Sequence, residues 1–291
     1  MDPTDFFATR HVSIVGLGLM GGSLALALKG KCKQLDGIDP DPATVELAQQ
    51  WKIVDKISTD PSDLLPNADL IILAAPVRAI IRILGDLPDL HPGSPVVFDL
   101  GSTKVEIMQA MDALPERFDP IGGHPMCGKE KSSLIFADPS IYQHAPFALV
   151  PLERTSQRAK YLAEELIRLV RAEPILFTAE QHDRLVAYTS HLPYLIASAL
   201  AGSSLDEAAA VVGPGFRSTT RLAGSSTQMM QDILLTNREN VLSAVQQFRS
   251  QMGRLVDLLE QEDFSGLAVQ LENNAVRYRK LTENCEQGGI Q

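Results

Sequence analysis

Short apolar runs alternate with amphipathic stretches through the first part of the chain. Runs at His11–Val15, Leu35–Asp39, Leu70–Ala74, Val96–Asp99, Phe118–Ile121, Phe147–Val150 and Ile175–Phe177 predict strands. Helical patterns lie between them. In Asp41–Trp51, Asp41 suits a cap and Pro42 a first turn, where no backbone N–H is needed. In Gln157–Arg171, Leu162, Leu166 and Leu169 share one face. This alternation predicts an α/β fold, a Rossmann-type doubly wound and mostly parallel sheet covered by helices. After Phe177 the strand signals stop. Thr178 with Gln181 reads as a capping box, and Thr236 with Glu239 as a second. Beyond it Val241, Val245, Phe248, Met252, Leu255 and Leu259 recur in alternating steps of four and three, one stripe along a helix of about six turns. Phe264–Asn284 repeats the pattern more weakly. The expected division is a dinucleotide-binding domain over 8–178 and an all-helical domain over 179–291.

Composition narrows the class. At roughly 100–200 residues per domain, 291 residues make one large or two modest domains. The hydrophobic share of 45% and charged share of 21% exclude a disordered or fibrous chain. Net charge is −10 and no Lys/Arg run supplies a basic patch, so nucleic acid is not an expected partner. An anionic ligand must then be met by a few local cations. Cys32, Cys127 and Cys285 form no C-x-x-C pair, which fits neither a disulfide framework nor a structural zinc site. The start of the chain carries Asp2 and Asp5 without an apolar run, unlike a signal peptide, and the uncharged Val12–Leu28 is too short and glycine-rich to span a membrane. A soluble cytoplasmic protein is expected, with no metal and no membrane partner.

Gly16-Leu17-Gly18-Leu19-Met20-Gly21 is a G-x-G-x-x-G between a predicted strand and a predicted helix. Gly16 suits the tight turn, Gly18 the close approach of backbone to a pyrophosphate, and Gly21 the packing of helix on strand, with Leu19 and Met20 opening the helix. Asp39 ends the next strand, placed for ribose hydroxyls. Its carboxylate would repel a 2′-phosphate and no Arg or Lys follows in Pro40-Asp41-Pro42, so NAD is expected over NADP. Ala75-Pro76 follows another strand, small enough for a nucleotide to lie across the strand ends.

Three further clusters carry candidate chemistry. Asp99-Leu100-Gly101-Ser102-Thr103-Lys104 follows a strand, so the Ser102 hydroxyl either orients a ligand or caps a helix. Gly122-Gly123-His124-Pro125-Met126-Cys127-Gly128 reads as a loop after the next strand, an unusual setting for a core histidine. His191 lies in Ser190-His191-Leu192-Pro193, and Arg217 and Arg221, spaced i to i+4, can share a helix face.

Together these motifs resemble the prephenate/arogenate dehydrogenase family of tyrosine biosynthesis. GLGLMGGS resembles its nucleotide loop, GSTK its serine motif, GGHPMCGKE its histidine loop, HDRLVAYTSHLP its helix-opening motif and GFRSTTRLA its arginine motif. The resemblance implies a nucleotide-binding domain followed by a helical dimerisation domain, a homodimer, and oxidative decarboxylation of prephenate or arogenate with hydride transfer to NAD. It implies His124 as the group that takes the proton of the substrate 4-hydroxyl, Ser102 as its orienter, and Arg221, Arg217 and His191 as substrate contacts. Two positions depart from the family pattern: Lys129 stands where Thr is frequent, and Ser218 where Asp is frequent. Lys129 either contacts a substrate carboxylate or is a solvated lysine. Two other readings share part of these features. A β-hydroxyacid dehydrogenase usually places a catalytic lysine in its second domain, and no lysine occurs between Phe177 and Arg279. A non-catalytic nucleotide sensor would use Gly16, Gly18 and Asp39 but not His124, His191 or Arg221.

Overall fold

The structure, a computed structural model, describes residues 7–129, 131 and 133–286, with side chains as far as 283. Among them eight strands form one sheet: β1 (His11–Val15), β2 (Gln34–Ile38), β3 (Lys56–Ser58), β4 (Leu70–Leu73), β5 (Val96–Asp99), β6 (Asp119–Pro125), β7 (Pro146–Pro151) and β8 (Glu173–Leu176). Their order is β3-β2-β1-β4-β5-β6-β7-β8. Neighbours are parallel except β6 and β7, which run antiparallel. The three-residue β3 has too short an alternation to register in the sequence.

Alternate residues of the central strands feed two cores. Leu70, Ile72, Val96 and Phe98 pack on one face, Ile71, Leu73 and Val97 on the other. Both faces are thus apolar, as a sheet with helices on either side requires. Helices α1 (Leu19–Leu28), α2 (Pro42–Trp51), α3 (Pro61–Leu64), α4 (Val77–Leu90), α5 (Val105–Asp112) and α6 (Gln157–Leu169) connect or flank the strands. Asp41 caps α2 as expected, accepting from the N–H groups of Ala43 and Thr44.

After β8 come α7 (Ala179–Val186), α8 (Leu192–Ser203), α9 (Pro214–Thr220), α10 (Thr227–Thr236), α11 (Arg238–Glu260) and α12 (Phe264–Glu286). The Thr178/Gln181 capping box forms at the start of α7. The Thr236 box does not. Thr236 is the last residue of α10, and its hydroxyl bonds back to the Asp232 carbonyl and lies 2.8 Å from the Thr103 hydroxyl. A tertiary partner and the preceding turn thus outcompete the local cap.

Strand gives way to helix between Leu176 and Ala179, yet the compact units divide later, one running up to Val241 and the other from Leu242 on. The first unit includes α7 and α10, which Asp183 and Thr236 tie to Lys104, Val105 and Thr103, and α8 and α9, which pack on the turn that holds His191 and on one another. In the second, the end of α11 turns through residues 261–263 into α12, whose first turn Asp263 caps by accepting from the Gly266 N–H. No described helix is long and apolar enough to cross a membrane.

Candidate active site

The carboxyl ends of β1, β4, β5 and β6 lie side by side at one sheet edge, because these four strands are adjacent and parallel. The glycine turn, Ala75-Pro76, Ser102 and His124 each follow or end one of them. At about 4.8 Å per strand, the glycine turn and His124 stand roughly 14 Å apart across the sheet, a span an extended dinucleotide bridges.

The nucleotide end is cradled by backbone. Gly16 has φ of +93°, and a Cβ there would meet the Ala74 carbonyl at 2.5 Å. A Cβ on Gly21 would meet the Gly16 carbonyl at 1.9 Å, so only glycine lets α1 close on the turn. Gly18 caps α1 without a side-chain bond. The first-turn N–H groups of Leu19, Met20 and Gly21 have no intrahelical partner and point toward the strand ends, a setting for phosphate oxygens. The Leu19 side chain is buried and Met20 half-buried, so these two are suited to contact a ligand through the backbone. Asp39 is half-buried. It accepts from the Leu17 N–H at 2.7 Å and from the Asp41 N–H at 3.0 Å, which holds its carboxylate beside the glycine turn. These residues fit a dinucleotide with a free 2′-hydroxyl.

At the other end, Gly122-Gly123-His124-Pro125 is not a loop but the end of β6, with His124 opposite Ala148 of β7. The flanking glycines have a packing reason: a Cβ on Gly123 would strike the Phe98 ring at 2.6 Å, and one on Gly122 the Met108 sulfur at 2.4 Å. Asp99 ties this strand to β5. It accepts from the Gly123 N–H at 3.2 Å and the Gly101 N–H at 2.8 Å, and pairs with the fully buried Lys104 ammonium. Ser102 is half-buried and does not cap α5. That helix is capped from afar by Asp183, whose carboxylate accepts from the N–H groups of Lys104 at 2.7 Å and Val105 at 2.9 Å.

The sheet half and the helices after it bring three histidines together. His124 Nδ1 lies 2.9 Å from His182 Nε2, and His182 Nδ1 lies 2.7 Å from Asp183 Oδ1. His191 follows on a π-helical turn over Ala187–His191. Pro193 just beyond has no N–H to return to the Thr189 carbonyl, a local reason for the widened turn. The Asn237 amide nitrogen donates to the Asp183 carbonyl at 2.6 Å and lies 3.2 Å from His191 Nδ1. That leaves hydrogen on His191 Nε2, a donor suited to a carboxylate. Burial, with His182, Lys104 and His191 adding to it, holds the His124 imidazolium well below the ordinary histidine range. Burial also lowers His182, against the pull of Asp183, and brings His191 down to about 4. All three imidazoles are therefore favoured in the neutral form.

The other expected residues are more exposed than these histidines. Arg217 on α9 and Arg221 in the 3-10 turn that follows are exposed, so they belong to consecutive segments rather than one α-helix face. Both segments pack against α8, the helix that His191 introduces. Lys129 lies 3.5 Å from Asp138 at the surface. Reading by sequence missed His182, Asp183, Lys104, Asp99 and Asn237. His182-Asp183 stands in the HDRLVAYTSHLP motif, one turn behind the capping box, a signal that was present. The burial of Lys104 with Asp99 has no local signature.

Family models described as the nucleotide-binding domain and the dimerization domain of prephenate dehydrogenase match residues 24–176 and 178–273. The chain is 29% identical over 289 residues to a prephenate dehydrogenase of Bacillus subtilis, covering 95% of this chain and 75% of that one. It is 31% identical over 265 residues to a prephenate dehydrogenase of Lactococcus lactis, covering 87% and 72%. Its fold is similar to the crystal structure of prephenate dehydrogenase from A. aeolicus in complex with hydroxyphenyl propionate and NAD+, with a TM-score of 0.85, 29% identity and coverage of 94% and 98%.

Proposed function

This chain belongs to the prephenate dehydrogenase family, and from that premise we propose that it oxidatively decarboxylates prephenate or arogenate, with His124 as the base. It is an NAD-dependent oxidoreductase of that family. The observation that carries the assignment of the base is the neutral His124 at the end of β6, on the same sheet edge as the glycine turn. When bound, the nicotinamide supplies the acceptor for the hydride that leaves the ring carbon bearing the hydroxyl. His124 takes the hydroxyl proton as that carbon becomes a carbonyl, and loss of the opposite carboxylate as CO2 makes the ring aromatic. Ser102, close behind β5, orients the hydroxyl or the imidazole. His191 offers an N–H to a substrate carboxylate, and Arg221 and Arg217 offer guanidinium forks, the planar cation that suits carboxylates. Arg217 serves from the neighbouring subunit of a homodimer, and Lys129, paired with Asp138, stands at the margin.

Asp39 supports NAD over NADP: both its oxygens are anchored by backbone N–H groups, so the carboxylate cannot swing away from a 2′-phosphate. The test is nicotinamide reduction by the purified protein with prephenate and arogenate, each with NAD and NADP. A rate dependent on one of the two cyclohexadienols is the expected result, and the faster pair assigns substrate and cofactor. No rate in any of the four, with NAD still bound, would overturn the assignment.

A further inference from the structure

We infer that His182 and Asp183 are positioning residues that fix His124 as the tautomer with hydrogen on Nδ1 and an open lone pair on Nε2. The inference deepens the proposed function and rests on His124 being its base. A hydrogen-bonded line runs from Asp183 through His182 to His124. Its two oxygens already accept from the Lys104 and Val105 N–H groups, at the positive end of α5. A carboxylate used in this way has only acceptor capacity left, so the His182 Nδ1 at 2.7 Å must carry a hydrogen and donate it. A neutral imidazole has one hydrogen, which leaves His182 Nε2 as an acceptor. That atom is 2.9 Å from His124 Nδ1, and two facing lone pairs would repel, so His124 Nδ1 carries the hydrogen. The remaining nitrogen of His124, Nε2, is then the unprotonated one.

The consequence is chemical. In the reaction the substrate O–H bond breaks and an Nε2–H bond forms on His124, while the hydride leaves carbon for the nicotinamide. The opposite tautomer has hydrogen on Nε2 and cannot accept. In the tautomer fixed here, the imidazolium formed keeps its Nδ1–H on His182, and the Asp183 carboxylate polarises that ring toward accepting it. The proton stays on His124 until solvent removes it, so no further acceptor is required.

Two substitutions separate the links. His182→Asn keeps an amide near the Nδ1 position for Asp183 but removes the acceptor facing His124. His182→Gln reaches the Nε2 position and restores an oxygen acceptor there. The first readout needs no substrate: ring 15N shifts of the histidine-labelled protein, whose six histidines are assignable by single substitutions. The native protein is expected to show His124 protonated at Nδ1, and His182→Asn a mixture of tautomers. In turnover, His182→Asn should lower kcat by about 10–100-fold, part of the ~10²–10⁴ that a general base contributes, with substrate KM and NAD affinity within twofold. His182→Gln should recover much of that loss. A native His124 protonated at Nε2, or a His182→Asn enzyme with unchanged kcat, would overturn the inference. Because the tautomer is read without substrate, it stands or falls apart from the assay of the reaction.

Discussion

Among side chains, histidine is the one whose ordinary proton affinity lies near neutrality, so small changes of surroundings decide whether it is acid or base. His124 is driven to the neutral form by burial and by the cationic forms of its neighbours. Its replacement by Asn should leave NAD binding intact and lower turnover by ~10²–10⁴, measured by steady-state rates beside cofactor titration. Near-normal turnover would remove His124 from the chemistry. The same burial makes a stability prediction. Lowered from 6.5 to about 4, His191 is protonated in the unfolded chain before it is protonated in the folded one. Below pH 6.5 the unfolded state therefore binds more protons, and stability falls with pH until about 4, where the difference saturates. His191 alone contributes a loss of about 2–3 kcal/mol between pH 7 and 4.5, with His124 and His182 acting in the same direction. Urea unfolding across that range checks it, and His191→Asn should show a shallower decline.

Elements transmit these residue properties because several of them end at one place. The turn after β1 works only if α1 begins in contact with it, and Gly21 makes that contact possible. Gly21→Ala should cost about 1–3 kcal/mol or more, since the added carbon meets a backbone carbonyl rather than a movable side chain. It should also weaken NAD binding by displacing the first-turn N–H groups, read by thermal melts with and without cofactor. At the other end, α5 borrows its cap from α7, across a long stretch of chain. One carboxylate there joins the sheet half to the helical half and orients His182. Such a cap is invisible to a reading of local sequence, which looks for Ser, Thr, Asp or Asn beside the helix start.

At the scale of the whole molecule, the stripe expected along α11 is present, with Val241 buried, Val245, Phe248 and Leu255 half-buried, and Met252 and Leu259 exposed. On α12, Phe264, Val269, Leu271 and Leu281 are exposed as well. So much uncovered apolar surface, most of it within the 178–273 segment matched by a dimerization-domain model, predicts a homodimer, with two-fold symmetry, in light scattering at micromolar protein. A monomer mass would contradict it. By itself the sequence determined what repeats or stays local: seven of the eight strands, the turn glycines, the Asp41 and Thr178 caps, and the motifs that hold Gly16, Asp39, His124 and His191. Period-two and period-3.6 burial and glycine conformations are short-range properties, so they are written in neighbouring residues. Tertiary structure decided the rest. That His124 ends a strand, that Thr236 bonds to Thr103, and that Asp183, His182 and His124 form one hydrogen-bonded line all depend on residues far apart in the chain. Hydrogen-bond direction and burial are settled only when those distant groups meet, and they set which nitrogen of the base is free to react.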